Sequence, residues 1–218
     1  MDDDLRRAAE AAPGFMPANE GLALHAAAHE AAAYGPVLEI GTYCGKSTIY
    51  LAAAVRERRQ LVITVDHHRG SEEHQPGWEY HDPSLVDQHT RRIDTLPTLR
   101  RVLFDAGIDD SVIVVVGSSS TVAAIWSTPL SMVFIDGGHT ESAATQDYRR
   151  WSPHVVVGGL LAIHDVFPDP ADGGQAPYGI YRSALSSGEF VEVGATGSLR
   201  VLRRTTVSAH ATSPRSAR

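Results

Sequence analysis

Five short runs of this chain, at 36–40, 61–66, 111–116, 132–136 and 159–164, are apolar at nearly every position instead of every second one. A strand alternates its side chains between two faces, so a continuous apolar run must be covered on both. The stretches between the runs read as helices at 46–58, 84–106 (with Pro97 as a break), 120–126 and 141–151. Strands alternating with helices predict an α/β fold built on a mostly parallel, doubly wound sheet. Two further strands, 189–193 and 198–203, form an antiparallel hairpin across Gly194-Ala195-Thr196-Gly197, giving seven in all. An Ala-rich helix at 19–33 precedes the first strand and belongs to a helical cap over about residues 1–34. The expected organisation is one domain over 1–204, with no internal repeat. Residues 205–218 lack apolar periodicity and are expected to be a disordered tail.

Composition narrows the function. A length of 218 residues with 43% hydrophobic and 21% charged side chains suits one globular domain. A net charge of −7 argues against an electrostatic grip on nucleic acid. Cys44 is the single cysteine, which excludes an internal disulfide and fits a reducing compartment. The start, Met1-Asp2-Asp3-Asp4, is acidic where a secretion signal needs positive charge, and no apolar stretch has the length of a membrane span. These features predict a cytoplasmic protein; a homo-oligomer is compatible with them.

The best-marked site is where Val37-Leu38-Glu39-Ile40 runs into Gly41-Thr42-Tyr43-Cys44-Gly45, before Lys46-Ser47-Thr48 opens a helix. Glycines there let the backbone turn tightly and approach a ligand. The next apolar run ends at Asp66, where a carboxylate can accept hydrogen bonds from both ribose hydroxyls of a nucleoside cofactor. A nicotinamide site wants G-x-G-x-x-G, and this turn has only Gly41 and Gly45. A P-loop wants four residues between its glycines, and this turn has one fewer. A methyltransferase turn is a third reading, and a glycine turn that serves only strand–helix packing is the plain alternative. Two more strand ends carry chemistry: Phe134-Ile135-Asp136-Gly137-Gly138-His139 and Ala162-Ile163-His164-Asp165. Asp136 and Asp165 offer hard oxygen ligands to Mg²⁺ or Mn²⁺, with His164 as a third ligand or as the group that orients Asp165.

Through these motifs, together with Pro13-Gly14-Phe15-Met16 and Glu20-Gly21, the chain resembles class I S-adenosylmethionine-dependent methyltransferases. The likeness runs from about residue 13 to 203, and is nearest the small-molecule branch that includes metal-dependent sugar O-methyltransferases. It implies a Rossmann-like fold with S-adenosyl-L-methionine as cofactor. Glu39 would meet the methionine amino group, and Gly41, Thr42, Tyr43, Gly45 and Ser47 would border the cofactor. Asp66 would take the ribose and Ser118 or Ser119 the adenine, with Ser120 capping the next helix. Asp136 would sit beside the methyl donor. The branch uses Asp-x-x-His at the fourth strand, matched by Asp136 and His139, and an acidic pair at the fifth, here His164-Asp165. A divalent ion on Asp136, His164 and Asp165 would lower the pKa of a sugar hydroxyl, and His139 would remove its proton as general base. Tyr43 departs from the branch, standing where many members have a middle glycine.

The polar loops after Asp66 and Asp165 suit a hydrophilic acceptor, and the resemblance implies a sugar hydroxyl such as the 1-hydroxyl of a mannoside precursor of methylmannose polysaccharide. Trp78, Tyr178 and Tyr181 are candidates for stacking on sugar rings. His67 or His68 is placed to contact cofactor or acceptor, and Arg69 to recognise a polyol. His74, His81 and His89 read as solvated, and His25 and His29 as packing or surface residues. The alternatives are a catechol-type or other natural-product O-methyltransferase and a non-catalytic S-adenosylmethionine-binding regulator.

Overall fold

The computed structural model describes residues 1–138 and 140–206. The expected strands appear as β1 (Val37–Ile40), β2 (Val62–Asp66), β3 (Val112–Val116), β4 (Leu130–Ile135), β5 (Val155–Ile163), β6 (Phe190–Thr196) and β7 (Leu199–Arg204). They form one sheet in the order β3-β2-β1-β4-β5-β7-β6. The first five run parallel and the last two close the edge antiparallel. The helices are α1 (Asp3–Ala11), α2 (Ala18–Ala31), α3 (Lys46–Arg56), α4 (Leu96–Asp105), α5 (Ser119–Ala123), α6 (Glu141–Trp151) and α7 (Ala176–Ser186). Among the described residues no helix is long and apolar enough to cross a membrane.

The continuous apolar runs are explained by two cores, one on each face. Val37, Val62, Met132, Phe134 and Leu160 point to a core shared with α1 to α4. Their neighbours Leu38, Ile63, Val133, Ile135 and Leu161 point to the other, filled by Ala144 and Trp151 of α6 and Ile180 and Ala184 of α7. Helix α3 is buried from Ser47 to Val55, because the sheet lies below it and α1 and α2 lie above. Gly21 makes that layering close: a Cβ there would stand 2.3 Å from the Tyr50 ring.

Three expectations change. The segment 84–106 is not one broken helix. It is a 3-10 turn at Pro83–Leu85, an isolated bridge from Val86 to Ile93, and then α4, whose first turn holds Pro97. Proline is tolerated there because the first-turn N–H groups have no helical partner. The hairpin turns later than expected, at Gly197-Ser198, since β6 runs on to Thr196 and absorbs the extra length as an irregularity between Glu192 and Gly194. Helix α7 was not expected, whereas α1 falls within the expected cap over about residues 1–34; it is capped by Asp2, whose carboxylate accepts from the Leu5 N–H. Of the expected tail, 207–218 lies outside the described residues.

β1 lies between β2 and β4, where the chain stops building the sheet one way and starts building the other. Open α/β sheets bind ligands outside the strand C-termini at this switch. Gly41 is essential to the crossing: its φ is +86°, and a Cβ would stand 2.1 Å from the Asp136 carbonyl oxygen. Gly107, with φ +62° and nothing near a would-be Cβ, is the control. Gly107→Ala should cost only the left-handed strain, about 1–2 kcal/mol. Gly41→Ala should cost distinctly more, roughly 2–4 kcal/mol, read as denaturant midpoints.

Candidate active site

Hydrogen bonding of the ladder continues past the strand ends and aligns the site. Gly41 N–H donates to Val65, Gly117 to Asp66, Asp136 to Ile40 and His164 to Ile135, at 2.9–3.1 Å. Gly41, Asp66, Gly117, Asp136 and His164 therefore sit along one edge, and all five line a cavity of about 490 Å³. That volume falls within the range of small-molecule and cofactor sites.

At the glycine turn, Asp66 accepts from the N–H groups of Thr42 (2.9 Å), Tyr43 (3.0 Å) and His68 (2.7 Å). The carboxylate thus fixes the turn while staying on the cavity wall. Thr42, Tyr43 and Ser47 also line the cavity. Tyr43 takes a left-handed φ of 49° at the place of the missing glycine.

Glu39 and Gly45 stand behind the cavity wall. Glu39 is 0% exposed. Its carboxylate accepts from Ser47 Oγ (2.6 Å), Thr48 Oγ1 (2.7 Å) and Thr64 Oγ1 (2.7 Å), tying β1 to α3 and β2. Burial pushes this carboxyl up to about 7, against the pull of those three hydroxyls. Gly45 also lies off the wall; it starts α3 with φ +95°, and a Cβ would press on Leu99.

Beyond β3, Ser118 caps α5: its Oγ accepts from the Thr121 N–H, the role expected of Ser120. Ser119 donates to Asp147 Oδ1 at 2.5 Å and accepts from Trp151 Nε1 at 2.7 Å. Asp147, which the sequence did not single out, lines the cavity from α6.

At the other end, Asp136, His164 and Asp165 present donor atoms that all lie within 4.8 Å of one another. His164 Nδ1 is 3.0 Å from Asp136 Oδ1 and 3.4 Å from Asp165 Oδ1. Its Nε2 is 2.6 Å from Oε2 of Glu20, a residue of α2 that is itself buried. Burial alone would keep His164 neutral, but Asp136, Asp165 and Glu20 outweigh it and push the imidazole up to about 12. Glu20 is held below the usual carboxylate range by the His164 and Ser198 hydrogen bonds, which overcome its own burial. The set suits a divalent cation: two carboxylates and an imidazole whose far nitrogen is held by a further carboxylate, as in many metal-bound histidines. A cation there would displace the Nδ1 proton. His139 lies outside the described residues.

The family model for "Methyltransferase domain" matches residues 38–166, more than half of the chain. This chain belongs to that methyltransferase family. Solved structures agree on the fold. The O-methyltransferase TomG from Streptomyces achromogenes, involved in tomaymycin synthesis and solved with SAM, superposes with TM-score 0.63 at 18% identity, covering 94% of this chain and 91% of that one. The SAH-bound Podospora anserina methyltransferase PaMTH1 gives 0.65 at 13%, covering 94% and 89%. The Bacillus cereus O-methyltransferase solved with SAH gives 0.60 at 18%, covering 94% and 92%.

The mouth of this methyltransferase's cavity differs from expectation. Trp78, Tyr178 and Tyr181 do not line it. Tyr178 and Tyr181 stack on each other 6.1 Å apart, and Trp78 is exposed. Instead Phe15, Tyr43 and His74 pack ring to ring at 5.0–6.0 Å, with Tyr80 against Phe15 at 5.0 Å. His67 lines the cavity, whereas His68 is buried against Thr95 and Arg69 lies off the wall. Burial pushes the Tyr43 phenol and the Cys44 thiol each up to about 12, so neither supplies a base or nucleophile at neutral pH.

Glu39 gives a pH test of the buried turn. Its folded value of about 7 stands above the ordinary 4.5, so between those values the folded chain holds a proton that the unfolded chain has lost. Stability therefore falls as pH rises through that window and levels off above it. Glu39→Gln should flatten that decline, read as denaturant midpoints at pH 5 and pH 8.

Proposed function

We propose that this chain transfers the methyl group of S-adenosylmethionine to the oxygen of a small hydrophilic acceptor, a sugar hydroxyl such as the 1-hydroxyl of a mannoside. The reading rests on one observation: a single cavity joins Asp66, suited to a ribose, to the donor set of Asp136, His164 and Asp165. We take residues 1–204 as one catalytic domain, with α1 and α2 as its cap.

In this reading Asp66 accepts from the ribose hydroxyls while holding the Thr42–Tyr43 turn against the cofactor. Asp136 and Asp165, with His164 Nδ1, would hold Mg²⁺ or Mn²⁺. Such an ion supplies charge that lowers the pKa of a hydroxyl beside it. Glu20 keeps the His164 ring turned toward the two aspartates. His139 takes the acceptor's proton. The freed oxygen pair forms a bond to the methyl carbon, the carbon–sulfur bond breaks, and its electrons return to sulfur as S-adenosylhomocysteine. Alignment of oxygen, carbon and sulfur supplies much of the rate. The ring cluster of Phe15, Tyr43, His74 and Tyr80 favours a second reading, a catechol-type acceptor stacked at the mouth.

A radiolabelled methyl-transfer screen over mannosides, glucosides and catechols, with Mg²⁺ and with excess chelator, separates these readings. The sugar reading expects label on a mannoside, lost on chelation and restored by Mg²⁺ or Mn²⁺. Label on catechols alone replaces it with the second reading, and full turnover in metal-free protein removes the ion.

His139→Ala tests the base. Folding and cofactor binding should persist while turnover drops about 10²–10⁴-fold. A variant that melts early but turns over normally per folded molecule assigns His139 to the fold.

A further inference from the structure

We propose that Asp147, held by Ser119, reads the six-amino group of the cofactor's adenine and sets the site's preference for adenine over a six-oxo purine. This rests on the methyl-donor reading above.

Beyond Asp66 the cavity runs between the start of α5, at Gly117 and Ser118, and the turn after β4, at Gly137 and Gly138. Walls of glycine and small residues leave room for a flat ring. Asp147 closes this end from α6 and is only 7% exposed, yet it belongs to the cavity lining. One of its oxygens, Oδ1, accepts a hydrogen bond from the Ser119 hydroxyl. Among the described residues Ser119 is its one hydrogen-bond partner, which leaves Oδ2 for a ligand. Gly137 keeps the approach to Oδ2 open, since a Cβ there would stand 3.0 Å from that atom.

The serines that the sequence offered for adenine are differently engaged. Ser118 caps α5, and the Ser119 proton is committed to Asp147 while its oxygen accepts from Trp151. What they leave at this end is a carboxylate acceptor, aimed by a Trp151–Ser119–Asp147 chain. Burial pushes Asp147 up to about 6 against the pull of Ser119, so at neutral pH it is mostly the anionic acceptor. An amino group at purine position six donates to such an oxygen. A six-oxo group presents a second acceptor there, and two facing acceptors repel while both lose water.

The test is calorimetric titration of S-adenosylhomocysteine and S-inosylhomocysteine into wild type and Asp147→Asn. Wild type should prefer the adenine compound by roughly 10–100-fold, the loss of a hydrogen bond to a charged group. Asparagine can turn its amide to accept or donate, so the preference should shrink toward unity. A merely structural Asp147 would weaken both compounds alike and leave the ratio unchanged, which would overturn the proposal, as would equal binding of both by wild type. If wild type binds neither, the methyl-donor reading itself fails and takes this proposal with it. Should Asp147→Asn not fold, Ser119→Ala carries the test: the released carboxylate should lose at least part of the preference, and an intact ratio would overturn the proposal.

Discussion

The structure turns on the contact between Gly41 and the backbone of Asp136. A Cβ at 41 would stand 2.1 Å from that carbonyl oxygen, so β1 can leave the sheet beside the end of β4 only with glycine there. This closeness puts two chemistries on one cavity. The turn held by Asp66 faces it from one side, and the acids at the ends of β4 and β5 face it from the other. Behind the wall, Glu39 repeats the logic in side chains by gathering hydroxyls from α3 and β2. A buried carboxylate is costly unless its hydrogen bonds are made, and here three are.

The far end is organised by charge. Four ionisable groups, Glu20, Asp136, His164 and Asp165, meet in a partly buried space, where unpaired charges would destabilise the fold. His164 resolves this by standing between carboxylates, and Glu20 ties α2 of the N-terminal cap to the end of β5 and, through Ser198, to the last hairpin. A Cβ on Gly197 would stand 2.0 Å from Glu20 Oε1, so that hairpin turn is shaped around the carboxylate. The cap is therefore wired into the site by a polar contact as well as packed on α3.

Much of the fold was legible because burial on both faces leaves an unmistakable mark, as in the wholly buried run Met132–Ile135. Val112–Val116 is as apolar, but it is the edge strand and leaves Ile113 and Val116 exposed. Helix α7 was not read, and α1 was read only as part of the cap over about residues 1–34. Helix α7 mixes proline, glycine and tyrosine, which breaks up a helical pattern. In the site, Asp66, Asp136, His164 and Asp165 could be found because each ends a strand, and strand ends converge. Glu39 sits on a strand too, but its parity with Val37 turns it toward α3 and away from the cavity. Glu20 and Asp147 come from helices, where sequence fixes the face but not which strand end lies opposite. Their partners, His164 and Ser119, are 144 and 28 residues away.

The most direct measurement is a crystal structure of the protein grown with S-adenosylhomocysteine and Mn²⁺, using anomalous scattering to locate the metal. The ribose hydroxyls are expected on Asp66, the sulfur toward Asp136, and a manganese peak bounded by Asp136, His164 and Asp165. A nucleoside bound away from the β1–β4 switch, or an empty cavity at saturating ligand, would contradict the reading of this edge as a methyl-transfer site.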